Sequence, residues 1–194
     1  VNTMTNEVLD VEGVQRKFGV PPERIVDYLT LIGDTVDNVP GVPKVGPKTA
    51  VKWLTEHGTL QNIVQHADAI VLGPGSWFTS VLPHLVVPEL RDSIASSAAQ
   101  RIVTMNLAPQ PGETGGYEVH DYLHALVQHA PGLSIDRIVV DPQSVAHGDA
   151  LDAAASQLGA TVDLLPVASS TPGIHDVAAL ASAYDKILTS ERVA

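Results

Sequence analysis

The chain has 194 residues, 44% of them hydrophobic, and a net charge of −11. This composition is typical of a globular protein with one domain or two small ones. Because the sequence contains no cysteine, it excludes disulfides, thiolate catalysis and Cys-ligated zinc. No apolar run reaches the roughly 18–20 residues that a membrane span requires, and no signal-peptide pattern is visible. We therefore expect a cytoplasmic protein without a membrane partner.

The pattern changes from helical to alternating at residue 69 and predicts two domains, 1–68 and 69–194, between which the acidic charge is unevenly distributed. The first holds six Lys or Arg against nine Asp or Glu, a net charge of −3, and the second holds five against thirteen, a net charge of −8. An acidic surface repels nucleic acid, so any contact with DNA must be local. The local candidates are Lys44, Lys48 and Lys52.

The pattern of residues 1–68 predicts a small all-α unit. A short helix over residues 14–19 ends at a glycine. Apolar residues at i, i+3, i+4 and i+7 over residues 24–32 indicate an amphipathic helix. A proline-initiated helix over residues 47–57 and a short one over residues 60–66 complete the unit.

Two carboxylates, Asp34 and Asp37, lie three residues apart in a predicted turn between these helices. Carboxylate oxygens are the ligands that Mg²⁺ prefers, and a metal held between them and a phosphate can activate water. The pair therefore predicts an Mg²⁺ site. The alternative is that the two aspartates only form a turn and an N-cap, which is the common role of such a pair.

A glycine-rich hairpin follows the aspartates and precedes a helix N-terminus. Its backbone N–H groups are suited to phosphate oxygens, which they bind without reading bases. Lys48 and Thr49 lie in the first turn of the helix, within reach of a second phosphate. The predicted DNA-binding residues are Gly41, Val42, Lys44, Val45, Gly46, Lys48 and Thr49.

The string GDTVDNVPGVPKVGPKTA, within residues 1–70, resembles the helix-hairpin-helix (helix–three-turn–helix) region of the 5′ nuclease domain of bacterial DNA polymerase I. This resemblance implies that Asp34 and Asp37 help to hold a second metal. It also implies that the hairpin holds duplex or flap DNA by its backbone, with a K⁺ ion. The other metal carboxylates of that family lie upstream on a parallel sheet, so the resemblance implies DNA binding rather than 5′-3′ exonuclease cleavage.

From residue 69 onward, strand and helix patterns alternate. The predicted strands are 69–73, 101–106, 135–141 and 161–167. The predicted helices are 88–99, 119–129, 149–158 and 176–188. This alternation is typical of an α/β segment with a parallel sheet and helices on both faces, a Rossmann-like three-layer arrangement.

Ligands of such sheets bind where the strands end, and two loops there carry suitable groups. The candidate nucleotide-sugar ligands are Gly73, Gly75 and Ser76 in the first loop and Asn106, Gln110, Glu113 and Thr114 in the second. The alternatives are a tight turn for the first loop and a solvated loop for the second. Trp77 and Phe78 suit either stacking on a base or packing against the sheet. His120 and His124 share a helix face but lack a zinc-site pattern.

Three separated strings point to a second family: ADAIVLGPGSWFTSVLPHLVVPELRD, NLAPQPGETGGYEVHDYLHAL and IDRIVVDP. They resemble the second half of the bacterial gluconeogenesis factors, relatives of the 2-phospho-L-lactate transferases, over residues 67–188. The resemblance implies binding of UDP-N-acetylglucosamine and a regulatory role. The family's Gly-rich nucleotide loop is missing, and Tyr122 stands beside Asp121 where the family has a histidine.

The two resemblances meet at residues 67–70 and indicate a chimera. Because each half lacks residues that its family needs for chemistry, we expect no enzyme activity. Three functions stay open, namely structure-dependent DNA binding, UDP-sugar binding and a folded chimera without a function. A half sheet exposes an apolar edge, so we expect either homo-oligomerisation through that edge or its coverage by the helical unit.

Overall fold

The computed structural model describes residues 10–34, 39–42 and 45–189. The chain divides into two compact units, Val1–Val64 and Gln65–Ala194. None of the helices in the described ranges is long and apolar enough to cross a membrane.

The first unit is built from short helices. They are α1 (Val11–Phe18), α2 (Ile25–Ile32), α3 (Pro47–His57) and α4 (Leu60–Gln65). The Asp10 carboxylate accepts a hydrogen bond from the Gly13 amide at 2.7 Å and so caps α1. Gly19 ends that helix in the left-handed conformation, with a φ of 77°. The buried residues of this core are Val20, Tyr28, Leu31, Ala50 and Leu54.

Between α2 and α3, the chain forms a short antiparallel ribbon. Strand β1 (Gly33–Asp34) pairs with β2 (Val39–Pro40), with Gly33 opposite Pro40 and Asp34 opposite Val39. The sequence predicted a turn directly after α2, whereas the structure places Asp34 in a strand. The reason is that the backbone of residues 39–40 supplies strand partners, which local patterns do not reveal.

The second unit contains a four-stranded parallel sheet. Its strands are β3 (Ala69–Leu72), β4 (Gln100–Thr104), β5 (Arg137–Val140) and β6 (Thr161–Leu164). Their order in the sheet, β3-β4-β5-β6, is their order in the chain. All three pairings are parallel, which confirms the predicted α/β class.

Helices cover both faces of this sheet. After a π-helical turn, Trp77–Val81, come α5 (Pro83–Val86), α6 (Pro88–Ser96), α7 (Val119–His129), α8 (Gly148–Gln157) and α9 (Val177–Thr189). On one face, Ala183 and Ile187 of α9 pack in one cluster with Ile102 and Val139 of the central strands. Helices α7 and α8 pack on each other, and the right-handed crossover usual between parallel strands assigns them to the opposite face.

Candidate functional site

The loops that follow β3 and β4 meet at the carboxyl edge of the sheet. The Asn106 side chain joins them, because its Oδ1 accepts a hydrogen bond from the Gly75 amide at 3.0 Å. Its Nδ2 donates to the Gly75 carbonyl oxygen at 2.9 Å. One side chain therefore satisfies both backbone groups of a residue 31 positions away.

Glu113 makes a second bridge between the same loops. Its Oε1 accepts hydrogen bonds from the Ser76 hydroxyl at 2.5 Å and from the Phe78 amide at 2.9 Å. The Ser76 Oγ also accepts from the Thr79 amide at 3.2 Å and caps the π-helical turn. The predicted ligand-binding groups of the two loops thus bond to each other.

Gly73 is required where the first loop leaves β3. Its φ is 80°, and a Cβ there would lie 2.6 Å from the backbone oxygen of Thr104. The peptide bond between Gly73 and Pro74 is cis. The glycine therefore serves the close approach of two backbones at the sheet edge.

Thr114 is fully buried and anchors the second loop. Its Oγ1 accepts hydrogen bonds from the Gln110 amide at 2.8 Å and from the Tyr122 hydroxyl at 2.9 Å. Burial is the largest influence on the Tyr122 phenol and raises its pKa. In contrast, the Gln110 Oε1 is buried and has no hydrogen-bond partner among the described residues.

The two aromatic residues after Ser76 have different surroundings. Trp77 is fully buried and packs edge to face on Tyr122, with ring centroids 5.2 Å apart. Phe78 is 38% exposed and contacts the rings of Tyr117 and His129. Packing is therefore the role of Trp77, and only Phe78 offers an aromatic surface.

Buried Asp141 and half-buried His175 are polar residues at the same edge that sequence reasoning did not identify. The Asp141 carboxylate, 3% exposed, accepts hydrogen bonds from the amides of Gln143, Val167 and Ala168 at 2.8–2.9 Å. Burial, the largest influence, would raise the pKa of Asp141, but these bonds outweigh it and the pKa is lowered. The available signal was an aspartate followed by proline at the end of an apolar strand.

His175 lies opposite Asp141 in the last loop before α9. Burial lowers its pKa, against the opposing influences of a backbone hydrogen bond with Met105 and the charge of Asp141. Its Nε2 is buried and has no hydrogen-bond partner in the described part of the chain. Burial therefore disfavours the charged form of this half-buried ring and lowers its pKa.

A groove of about 470 Å³ opens between the N-terminal ends of α7 and α8. It is lined by Gly116, Glu118, His120, Asp121, His147, Asp149 and Ala150. Its volume lies within the range of small-molecule pockets. Within the described residues, no group of three or more His, Asp or Glu side chains could hold a metal ion.

In the first unit, the start of the predicted hairpin closely approaches the backbone at the end of α2. A Cβ on Gly41 would lie 2.2 Å from the carbonyl carbon of Ile32. The Val42 amide donates a hydrogen bond to the Leu31 oxygen at 2.9 Å, and the Val45 amide donates to the Val42 oxygen at 3.0 Å. The first of these bonds ties Val42 to the end of α2.

The other predicted residues of this unit lie on both sides of the hairpin. Gly46 is the N-cap of α3, and a Cβ there would meet open space. Lys48 is exposed and Thr49 half-buried in the first turn of α3. Asp34 is half-buried, while Asp37 and Lys44 lie outside the described residues, so the proposed carboxylate pair is not seen as a pair.

One protein-family model matches most of the chain, including the whole parallel sheet of the second unit. The family model described as 2-phospho-L-lactate transferase CofD matches residues 46–177. The chain belongs to the CofD family. The crystal structure of a protein from Bacillus halodurans has a TM-score of 0.54 and 27% identity to this chain, and the match covers 67% of this chain and 45% of that one. The likeness agrees with the Rossmann-like fold of the second unit.

Named relatives fall into two groups. A putative gluconeogenesis factor of Mycobacterium leprae is 42% identical over 127 residues, which cover 64% of this chain and 35% of the relative. A 5′-3′ exonuclease of Aquifex aeolicus is 52% identical over 66 residues, 34% of this chain and 23% of the relative. DNA polymerase I of Pseudomonas aeruginosa is 64% identical over 58 residues, 30% of this chain and 6% of the relative.

These matches confirm the predicted combination of two families in one chain. The CofD match accounts for the parallel sheet, and the nuclease and polymerase matches concern a separate segment. The chain spans about a third of the gluconeogenesis factor and less of the nuclease and the polymerase. As in a chimera, neither family is represented over its whole length.

Proposed function

We propose that the second unit binds a nucleotide sugar, UDP-N-acetylglucosamine, at the carboxyl edge of its sheet. The observation that supports the proposal most is the convergence of the two loops, which Asn106 and Glu113 hold together through Gly75 and Ser76. Parallel α/β sheets bind their ligands at this edge. The resemblance to the gluconeogenesis factors supplies the identity of the ligand.

Gln110 is the residue that we assign to direct contact. Buried polar atoms are almost always hydrogen-bonded, and the Gln110 Oε1 has no partner among the described residues. An acceptor of this kind suits an N–H or hydroxyl donor of a uracil or a sugar. Thr114, in contrast, supports the loop from the interior, because its hydroxyl is buried and bonded twice.

Thermal denaturation in the presence of UDP-N-acetylglucosamine tests this proposal, with UDP and N-acetylglucosamine as separate ligands. A ligand at about 100 times its Kd stabilises the folded state by about 2.7 kcal/mol, so the melting temperature should rise. Gln110→Met keeps the side-chain length and removes the acceptor. We expect it to abolish the shift without destabilising the free protein, because it also removes an unsatisfied buried oxygen.

Gln143→Met is the matched control, since Gln143 is an exposed glutamine in the next loop. Its contact with Asp141 uses only the backbone amide, so this variant should keep the full ligand shift. Equal ligand shifts in Gln110→Met and the wild type would remove Gln110 from the site. No shift with any of the three ligands would refute nucleotide-sugar binding.

A second candidate function, structure-dependent DNA binding by the first unit, is favoured by the hairpin geometry. The backbone of Gly41 approaches Ile32 too closely for any side chain, and the space beyond Gly46 is open. Exposed Lys48 stands in the first turn of α3, an 11-residue helix whose N-terminus attracts anions. A helix-hairpin-helix clamp on duplex or flap DNA is consistent with this arrangement and with the nuclease-like relatives.

Fluorescence anisotropy of a labelled flap duplex measures this second function. Binding should weaken as salt rises from about 30 to about 200 mM, because phosphate contacts release counterions. Lys48→Glu should abolish it, whereas Lys17→Glu, a reversal on α1, should lower it only slightly. A DNA affinity that changes neither with salt concentration nor in Lys48→Glu would contradict a phosphate clamp. Mg²⁺ at Asp34 and Asp37, and K⁺ at the hairpin, stay predictions.

A further inference from the structure

The Glu118 side chain caps the N-terminal end of α7, and its Oε2 lies close to two histidine rings. Its side chain accepts a hydrogen bond from the Asp121 amide, and the Asp121 carboxylate accepts one from the Glu118 amide at 2.8 Å. Its Oε2 lies 2.5 Å from His147 Nδ1 and 3.7 Å from His120 Nδ1. Glu118 is therefore fixed by the capping box before it meets either ring.

His147 belongs to a different segment. It is the residue before α8, and its backbone oxygen accepts the first hydrogen bond of that helix from the Leu151 amide at 3.2 Å. The contact between Glu118 and His147 thus joins the loop that follows β5 to the start of α7. Both residues line the groove between the two helices.

The charges around His147 come from both helices. Helix α7 presents His120 and Asp121 to the groove, with His120 Nε2 3.7 Å from Asp121 Oδ1, and His124 contacts the His120 ring. Helix α8 presents Asp149. The described lining of the groove contains no Lys or Arg, so protonated histidines are its sole source of positive charge.

We propose that Glu118 and His147 form a proton-operated latch across this groove, closed when His147 is charged and loosened when it is neutral. A charged imidazole makes a hydrogen bond with a carboxylate that is about twice as strong as a neutral one. The hydrogen bond and the charge of Glu118 raise the pKa of His147 above its ordinary value. The latch therefore loosens as the pH rises through this raised pKa.

The expected change is modest because His147 is exposed, with 65% of its side chain accessible. Exposed ion pairs change an equilibrium by about two- to fivefold, and salt screens them. The latch therefore tunes the mobility of the loop and the start of α8, rather than folding or unfolding either helix. The groove is wider on average above the pKa of His147.

Hydrogen exchange by NMR tests the latch in the full chain. The reporter is the Leu151 amide, which bonds to the His147 oxygen, and its rate is divided by the intrinsic rate at each pH. Wild-type protection should fall about two- to fivefold between about pH 6 and about pH 8.5. His147→Asn leaves the capping box intact, and its Leu151 protection should not depend on pH in this range.

Two further variants separate a latch from a general effect of pH. Glu118→Gln should return the pKa of His147 towards its ordinary value of 6.5, as read from the ring resonances. His129→Asn removes a histidine at the far end of α7 and should behave like the wild type. The latch is refuted if wild-type protection does not change with pH, or if His147→Asn retains the same change.

Discussion

Replacing Asn106 by alanine should separate the two loops at the carboxyl edge of the sheet. The substitution deletes both hydrogen bonds to Gly75, at 2.9 and 3.0 Å. Each such bond contributes about 0.5–1.5 kcal/mol net, and the partly buried Gly75 groups would lose their partner. We therefore expect a loss of about 2 kcal/mol in the free energy of unfolding of the second unit.

Urea denaturation followed by Trp77 fluorescence measures this loss, because Trp77 is buried beside the first loop. Trp53 of the first unit is the other tryptophan, so the measurement is made in a Trp53→Phe background. Asn106→Asp provides a second variant. It keeps an acceptor for the Gly75 amide but faces the Gly75 oxygen with a carboxylate, and it should destabilise at least as much as alanine.

Gln143→Ala is the control, because it shortens an exposed amide and keeps the backbone bond to Asp141. It should change stability by less than about 0.5 kcal/mol. If Asn106→Ala is equally neutral, the two loops are not held by Asn106. The argument that they form one site would then fail together with it.

Three further predictions have defined outcomes in denaturation experiments. Gly41→Ala should destabilise the first unit by about 1–3 kcal/mol, because its Cβ would clash with the end of α2. Gly46→Ala is the control and should destabilise it by less than about 1 kcal/mol. Equal losses of stability in the two variants would contradict the close approach of Gly41 to Ile32. Tyr122→Phe should cost the second unit about 1 kcal/mol, since Thr114 loses one donor, and no loss would mean that this bond is unimportant. Because the pKa of His175 is lowered in the folded state, the unfolded chain takes up a proton first as pH falls below 6.5, so stability should decrease. His175→Asn should reduce that decrease, and an unchanged pH profile would contradict a lowered pKa.

Much of the second unit was predictable because its strands are short apolar runs with turn residues at their ends. The predicted strands extend past the carboxyl ends of β4 and β5, because Asn106 and Asp141 directly follow the apolar pattern of these strands. These side chains instead bond to loop backbone, Asn106 to Gly75 and Asp141 to Val167. A local pattern does not contain partners that lie more than 25 residues away.

The sequence predicted where the candidate site lies, but not which of its side chains are buried or already hydrogen-bonded. The rule that ligands bind at the carboxyl edge of parallel strands brought the two predicted loops together. It did not reveal that Glu113 already bonds to Ser76, or that Thr114 is buried. Both facts depend on how the second loop folds back, which is decided by side-chain packing around Tyr122.

The order of the sheet also bears on how the second unit forms. Each strand pairs with the strand that precedes it in the chain, so no pairing has to wait for a distant segment. Loop-closure entropy is therefore low for a parallel sheet, and such local topologies fold faster than those with distant pairings. On the ribosome, the sheet can grow one strand at a time as each crossover helix emerges, with β6 and α9 joining after β3, β4 and β5.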